Sequence, residues 1–154
     1  MKFAGFVSLP IGGDPAENLR AVLAQIQSGL VELHAETVQQ VGNRITFSAG
    51  FLSFKRWVGR NPLLWITSGE IQLEPSGDFL MLDYRLSFSQ LLIASTACVL
   101  WFVVTSGKRI HATGQPLTNV LLLSAIMWLL LCVGNAAVAM FRFSKFLRQF
   151  PLKD

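Results

Sequence analysis

Two long stretches without a charged residue constrain the fold of this chain more than any other feature of its sequence. No Asp, Glu, Lys or Arg lies between Arg85 and Lys108, and none lies between Arg109 and Arg142. A helix that crosses the hydrocarbon core of a bilayer needs about 20 predominantly apolar residues, and each stretch can supply one. Charged residues make up 14% of the chain, whereas a soluble domain carries about 25%. The sequence therefore predicts two membrane spans and excludes an ordinary soluble globule.

The two spans divide the chain into five segments. Gly107, Gly114 and Pro116 interrupt the helical pattern between the spans, so we expect a short connector and an antiparallel helical hairpin. The predicted segments are a cytoplasmic domain over 1–86, a first transmembrane helix over 87–105, an extracytoplasmic connector over 106–116, a second transmembrane helix over 117–141 and a basic amphipathic tail over 142–154.

Charge is distributed unevenly along the chain. Residues 1–85 have a net charge of −1 and residues 86–154 a net charge of +5, which together make the +4 of the whole chain. The basic excess therefore flanks the predicted spans, where anionic lipid headgroups are the expected partner. A nucleic-acid-binding protein would instead concentrate its basic residues on the folded domain, so we expect no nucleic acid partner.

The beginning of the chain predicts a strand followed by a helix. A strand is expected over 3–9, because Pro10 ends a run of mostly apolar residues. Asp14 is a favourable N-cap and Pro15 suits the first helical position, so a helix is expected over about 15–28. Gly29 is its predicted C-terminal stop. The apolar face of this helix carries Leu19, Val22, Leu23 and Ile26.

Beyond Gly29 the hydrophobic period changes from 3.6 residues to two. Val31, Leu33 and Ala35 alternate with polar residues, which predicts a strand over 31–36. Gly42-Asn43 predicts a tight turn into a returning strand over 44–48, and alternation predicts further strands over 70–74 and 79–86. The predicted fold class is α+β: a small N-terminal domain of one helix on an antiparallel sheet, followed by a two-helix transmembrane hairpin.

Small and polar residues of the second span are candidates for helix–helix packing. Small residues let helix backbones approach closely in lipid, and a side-chain amide there needs a hydrogen-bond partner. The same packing between copies of the chain would give a homo-oligomer. Neither span contains a charged residue, which argues against a proton relay or an ion-coupled transporter. The candidates are Ser124, Gly134 and Asn135.

Cations next to aromatic residues are candidates for contact with the membrane surface. Tryptophan prefers the membrane interface, and cations are attracted to anionic lipids. In the tail, four apolar residues share one helical face and the cations lie off it, so we expect this face to lie in the plane of the lipid headgroups. The alternatives are that it continues the second span or covers the N-terminal domain. The four are Phe143, Phe146, Leu147 and Phe150; the candidate lipid contacts are Lys55, Arg56, Trp57, Arg60, Arg142, Lys145 and Arg148.

The sequence has no signature of catalysis, of a cofactor or of a metal site, so we expect none of the three. Glu32, His34 and Glu36 would lie in a row along one strand, whereas metal ligands converge. Gly12-Gly13 precedes a helix but lacks the lysine of a phosphate-binding loop. The two cysteines, Cys98 and Cys132, lie inside the predicted spans, where cysteine behaves as a small apolar residue.

The layout resembles that of many small bacterial inner-membrane proteins, but architecture alone does not give function. Five basic residues near the terminal span ends against two in the connector predict cytoplasmic termini. We expect a non-enzymatic, membrane-anchored accessory protein of the bacterial inner membrane. Its domain would bind a protein partner, for example through a free sheet edge. The alternatives are a small oligomeric transport or channel component and an enzyme that acts on lipid headgroups.

Overall fold

The computed structural model describes residues 1–10, 14–50, 61–77, 79–113 and 117–150. Within these residues five strands form one antiparallel sheet in the order β1-β5-β4-β3-β2. The strands are β1 (Lys2–Pro10), β2 (Thr37–Val41), β3 (Arg44–Ser48), β4 (Ser68–Ser76) and β5 (Phe79–Ser87). The helices are α1 (Pro15–Glu32), α2 (Ser89–Thr113), α3 (Leu117–Leu129) and α4 (Asn135–Leu147), and a π-helical turn (Leu130–Gly134) joins α3 to α4. The predicted α+β fold class is confirmed.

Helix α1 begins where the sequence predicts but continues further. The Asp14 carboxylate accepts a hydrogen bond from the Ala16 N–H at 2.9 Å, as an N-cap does. The helix does not stop at Gly29, because Leu30 lies one turn after Ile26 and is fully buried with it. The Leu33 N–H still donates to the Gly29 carbonyl at 2.9 Å. Burial of an additional turn therefore outweighs the poor helix propensity of glycine.

The strand predicted over 31–36 is wrong. Helix α1 takes the first part of this segment, and His34 follows it with a φ of 65°. The His34 N–H donates to the Val31 carbonyl at 2.9 Å, and the Ala35 N–H donates to the Leu30 carbonyl at 3.0 Å. This is a Schellman helix end with histidine at the position that glycine usually occupies. Glu32, His34 and Glu36 therefore do not share a strand face.

Glycines occupy both hairpin turns among the described strands, and one of these turns is the predicted Gly42-Asn43. Gly42, with a φ of 61°, is the first residue of the two-residue turn between β2 and β3. A positive φ at this position gives the turn the twist of its strands. Gly77, with a φ of 59°, lies in the turn between β4 and β5. In β5 the alternation is confirmed, because Leu80, Leu82, Tyr84 and Leu86 are all buried.

Two helices, not the single predicted one, cover the inner face of the sheet. Helix α1 packs near β2, β3 and β4, while α4 packs near β1. The hydrophobic core therefore joins residues from both ends of the chain. Its buried residues on the helices are Val22, Leu23, Ile26 and Leu30 of α1, Leu91 of α2, and Ala136, Ala139, Phe143 and Leu147 of α4.

Two helical segments within the described residues are long and apolar enough to cross a membrane, namely Ser89–Ser106 and Thr118–Leu147. Only 17% of an apolar 18-residue stretch of each is buried inside the protein, whereas a core helix of a soluble protein would be mostly buried. Apolar surface exposed on this scale marks an interaction with a membrane or with another protein. It therefore supports membrane association. Helix α2 ends at Thr113, so helical structure continues into the segment assigned to the connector.

Candidate site at the junction of sheet and apolar helices

The sheet passes directly into the first apolar helix. Phe88, the one residue between β5 and α2, is fully buried. Its N–H donates to the Met1 carbonyl at 2.9 Å, and its ring meets that of Phe3 edge-on at 5.5 Å between centroids. A flexible linker would have neither a buried side chain nor a fixed backbone partner. The domain and the helix are therefore rigidly joined at this point.

Gln90 strengthens this joint from the other side. Its side chain is 4% exposed and donates to the Gly50 carbonyl at the end of β3. Its backbone N–H donates to the Thr67 hydroxyl, just before β4, at 3.1 Å. The first N–H groups of a helix have no partner within the helix, so this hydroxyl satisfies one of them. Phe88 and the first turn of α2 are thus bound to residues that flank β1, β3 and β4.

The side chain of Phe143 is held in a cleft that we call the aromatic slot, formed by Phe47, Tyr84, Gly5 and Gly69. The Phe143 ring stacks on Phe47 at 5.8 Å and meets Tyr84 edge-on at 5.5 Å. Each of these two rings lies over a glycine on the neighbouring strand, since Gly5 pairs with Tyr84 and Gly69 with Phe47. A Cβ at either glycine would collide with the ring above it. The glycines therefore give the slot its depth.

Helices α1 and α4 also meet through a glycine. A Cβ at Gly29 would lie 2.9 Å from Phe146 and 3.0 Å from Phe150, so these rings lie directly on the α1 backbone. Phe146 in turn contacts Phe143 and Phe150, at centroid distances of 5.9 Å and 5.0 Å. Gly29 thus serves the close approach of two helices, not the end of α1 that the sequence predicts.

The apolar face of the tail is therefore committed to the N-terminal domain. Phe143 and Leu147 are fully buried, and Phe146 and Phe150 pack against the same core. The hypothesis that this face lies in the lipid headgroups is wrong for these four residues, and the alternative that it covers the domain is confirmed. Helix α1 leaves part of the apolar inner face of the sheet uncovered. Aromatic side chains bury the largest apolar area, so the tail is stabilised most by packing on this remaining surface.

The opposite face of α4 carries the cations of the tail. Arg142 is half-buried, and Lys145 and Arg148 are exposed. Two of the three line a pocket of about 490 Å³, which we call the Arg142 pocket, between α4 and the segments that follow α1 and precede β4. Among the described residues the lining contains no Asp or Glu; it consists of Leu33, Pro62, Phe141, Arg142, Lys145, Phe146 and Gln149.

The outer face of the sheet presents a different kind of surface. Two shallow hollows of about 350 and 320 Å³ lie along it, and both include Glu70 and Arg85. Arg44 forms an ion pair with Glu70 at 3.1 Å, and Glu70 lies opposite Arg85 in the strand register. Positive and negative side chains therefore alternate across this face, so it has no net electrostatic attraction for either anionic or cationic ligands.

Among the described residues, the three predicted for helix packing make no side-chain hydrogen bond to another helix. Ser124 is buried, but its hydroxyl donates to the Val120 carbonyl one turn earlier at 2.7 Å. The Asn135 amide donates to the Leu131 carbonyl in the π-helical turn, also at 2.7 Å. A Cβ at Gly134 would meet nothing within 4 Å. Within one chain, Gly134 is thus not a point of close helix approach.

A hydrogen bond that sequence reasoning missed joins α2 to α3. The Trp128 indole N–H donates to the Thr96 hydroxyl at 3.1 Å. A tryptophan in an apolar helix is typical of an anchor at the membrane interface, so its presence in the sequence does not indicate a hydrogen-bond partner on another helix. The only signal in the sequence was that an indole N–H in an apolar helix needs a hydrogen-bond acceptor.

Several predicted residues lie outside the described part of the chain. They are the candidate lipid contacts Lys55, Arg56, Trp57 and Arg60, the Gly12-Gly13 loop and the end of the tail over 151–154.

Among the described residues, no group of three or more His, Cys, Asp or Glu side chains could hold a metal ion. Cys98 and Cys132 are free cysteines on different apolar helices. The candidate site is therefore the junction itself, together with the Arg142 pocket.

Comparison with known proteins adds no assignment to this geometry. The junction, the aromatic slot and the Arg142 pocket are thus the observations on which a function has to be based. No protein-family model matches the chain, and neither a curated protein nor a solved structure matches it.

Proposed function

We propose that this protein is a membrane-anchored accessory protein whose two apolar helices span the bilayer and hold the α+β domain at the membrane surface. The observation that carries this proposal is the double role of α4. Its outer face continues the exposed apolar surface of α3 through Val138 and Phe141, while its inner face completes the domain core. A domain whose core includes the end of a span stays in contact with the bilayer.

The proposed orientation places residues 1–86 and the tail in the cytoplasm of a bacterial cell. Arg85, Arg142, Lys145, Arg148 and Lys153 lie near the terminal span ends. The connector contributes Lys108 and Arg109. Cytoplasmic segments next to a span carry an excess of Lys and Arg, so the larger group belongs to the cytoplasmic side.

The proposed partner is a protein that pairs with the edge of β1. This strand is nine residues long and pairs on one side with β5, among the described residues. Its Phe6 is 68% exposed. An edge strand presents backbone donors and acceptors to an extended segment of another chain, and an apolar side chain beside it adds affinity. The other edge strand, β2, is only five residues long.

Cysteine labelling tests the anchoring and the orientation. In a Cys98→Ala/Cys132→Ala background, single cysteines are introduced at Gln25, on the exposed side of α1, and at His111, between the spans. In intact cells a membrane-impermeant maleimide should label position 111 but not position 25, and cell lysis should expose both. Label at position 25 alone would reverse the orientation. Release of the protein by alkaline carbonate would refute anchoring altogether.

Two matched variants test the partner surface. Phe6→Lys places a charge on the β1 edge strand, and Val41→Lys places the same charge on the exposed β2 edge strand. Affinity purification from native membranes should recover the partner with wild type and with Val41→Lys, but not with Phe6→Lys. Equal recovery with all three proteins would show that the β1 edge is not the binding surface.

A second candidate function is that of a small oligomeric transport or channel component. Gly134 is exposed, and a side chain there would meet nothing, which leaves room for a helix of another copy. A pore requires a closed oligomer, so the mass of the protein in detergent separates the two functions. A monomer supports the accessory protein, and a ring of copies supports the pore.

A further inference from the structure

We infer that the Arg142 pocket binds the headgroup of one anionic phospholipid. The inference deepens the proposed function, on which it rests, by naming a ligand and a site. It also separates the cations of α4 into two groups, because Arg142 and Lys145 line the pocket and Arg148 does not.

The charge of the pocket selects an anion. Within the described residues neither Arg142 nor Lys145 forms an ion pair, and no carboxylate lines the pocket. Arg142 is half-buried and lines the pocket. A guanidinium binds phosphate through two parallel hydrogen bonds, and a lysine next to it adds a mobile positive charge. Together they match the phosphodiester of a lipid.

The apolar part of the pocket selects a lipid over a free phosphate. Phe141 lines the pocket, is 72% exposed and lies one turn after Val138, which is also exposed. Lys145 follows Phe141 by one further turn, so a single face of α4 changes from apolar to cationic over about 10 Å, at 1.5 Å per residue. Acyl chains can lie along the apolar part while the phosphate reaches the cations. A soluble anion would gain nothing from Phe141.

The position of the pocket agrees with this ligand. Arg142 is the first charged residue after the long uncharged stretch that includes α3 and the π-helical turn. The polar heads of lipids lie where a span changes from apolar to charged residues, and basic pockets at this depth bind anionic headgroups. Leu33, beyond the end of α1, and Pro62 form the wall that faces α4. The ligand is therefore held between two elements, not on one exposed helix face.

The test compares two charge-removing variants in the full-length protein. The protein is reconstituted in nanodiscs of phosphatidylcholine that contain a minor fraction of phosphatidylglycerol, then released into detergent and examined by native mass spectrometry. Wild type should retain one phosphatidylglycerol per chain. Arg142→Gln/Lys145→Gln should lower this retention by about tenfold or more, since two charge-assisted contacts are lost. Arg148→Gln should retain the lipid as wild type does.

Each other outcome contradicts the inference. Equal loss in Arg148→Gln and in the double variant would show diffuse surface attraction, and retention in all three proteins would show that the pocket is not the site. Displacement of the lipid by millimolar inorganic phosphate would identify a phosphate site instead. Protein released by alkaline carbonate would contradict the proposed function, whereas protein that stays in the membrane but retains no lipid contradicts the pocket alone.

A crosslinking measurement keeps the test valid if the double variant does not fold. Phosphatidylglycerol with a photoreactive group at the headgroup is added to the wild-type protein in nanodiscs. Crosslinks should concentrate in the peptide that contains Phe141, Arg142 and Lys145. An even distribution of crosslinks over all segments near the membrane surface would overturn the inference. The charge-preserving variant Arg142→Lys/Lys145→Arg should retain more lipid than Arg142→Gln/Lys145→Gln but less than wild type, because a lysine at position 142 cannot form the two parallel hydrogen bonds of a guanidinium.

Discussion

Helices α3 and α4 are consecutive parts of one long helical segment, yet they meet different surroundings. In α3 most apolar side chains are exposed, among them Leu121, Leu122 and Leu123, which follow one another around the helix. In α4 one face is fully buried and the opposite face is exposed. A helix that is apolar all round fits a lipid environment, whereas an amphipathic helix fits the surface of a folded domain. The boundary of the domain thus falls inside a helix.

The π-helical turn marks that boundary. Each residue of an α-helix turns the chain by about 100°, so the extra residue that a π-helical turn contains changes the direction of the face that follows it. The Asn135 amide donates to the Leu131 carbonyl within this turn. In the surroundings expected for α3, such a side-chain donor satisfies a backbone group where the regular helical pattern is interrupted. The turn therefore allows α4 to direct Phe143 to the sheet.

Removal of α4 should have the largest effect on the molecule. A chain that ends at Gly134 keeps all five strands, α2 and α3, but it lacks the last part of the second apolar segment and with it the four buried residues of α4. Native-state hydrogen exchange in detergent should show that backbone amides of β1 and β5 lose most of their protection. Unchanged protection in these strands would show that the sheet is stable without α4.

The second prediction compares two phenylalanines on opposite faces of α4. Phe143→Ala removes a fully buried ring from the aromatic slot and should lower the free energy of unfolding by about 3–5 kcal/mol. Phe141→Ala, at a site that is 72% exposed, should change it by about 0.5 kcal/mol or less. Denaturant unfolding of both variants in the same detergent measures the difference. Similar effects would mean that the two faces are not distinct.

The third prediction compares one substitution in the two regions. Gly69→Ala places a methyl group against the Phe47 ring, which Phe143 holds from the other side, and should destabilise the protein by about 1–3 kcal/mol. Gly134→Ala meets nothing within 4 Å and should be neutral or stabilising by up to about 1 kcal/mol, because alanine favours helix. Thermal unfolding should therefore show a lower midpoint temperature for Gly69→Ala, and an unchanged or higher midpoint temperature for Gly134→Ala. A loss of stability at position 134 would reveal a contact between copies.

The smallest effect is expected inside the helical hairpin. Trp128→Phe removes the hydrogen bond to Thr96 and should cost about 0.6 kcal/mol, the average for such bonds between membrane helices. Thr96→Val removes the same bond from the other side, so the double variant should be no less stable than either single variant. Denaturant unfolding in detergent checks this. Additive losses would show that the two side chains do not interact.

Local patterns predicted most of the elements but not all their boundaries. The strands over 44–48 and 79–86 were identified because one face is buried and the other is not, which gives strict alternation. The same alternation at 31–36 was misleading, because the end of α1 also alternates apolar and polar residues there. The deciding feature was the left-handed conformation of His34, and histidine gives little sign of it in a sequence.

The candidate site was harder to predict because its parts are distant in sequence. The helical period revealed the apolar face of the tail, but it could not identify what covers the face, since both lipid and a sheet accept Phe143 and Leu147. The aromatic slot depends on the strand register that sets Gly5 beside Tyr84. The Arg142 pocket needs Leu33 and Pro62 from separate segments. Arg142 and Lys145 themselves were recognised from their charge.

The burial of Phe143 and Leu147 in the core also sets an order for biosynthesis. The ribosome makes β1 first and α4 last, with both apolar helices between them. Domains generally fold as soon as their chain has emerged, but here the sheet must wait for a helix that follows the entire hairpin. Its inner face stays partly uncovered until α2 and α3 have folded back on each other. In the proposed membrane-anchored protein, insertion of the hairpin and completion of the domain are therefore one coupled event, and a chain whose hairpin does not form keeps an incomplete sheet that proteases can degrade.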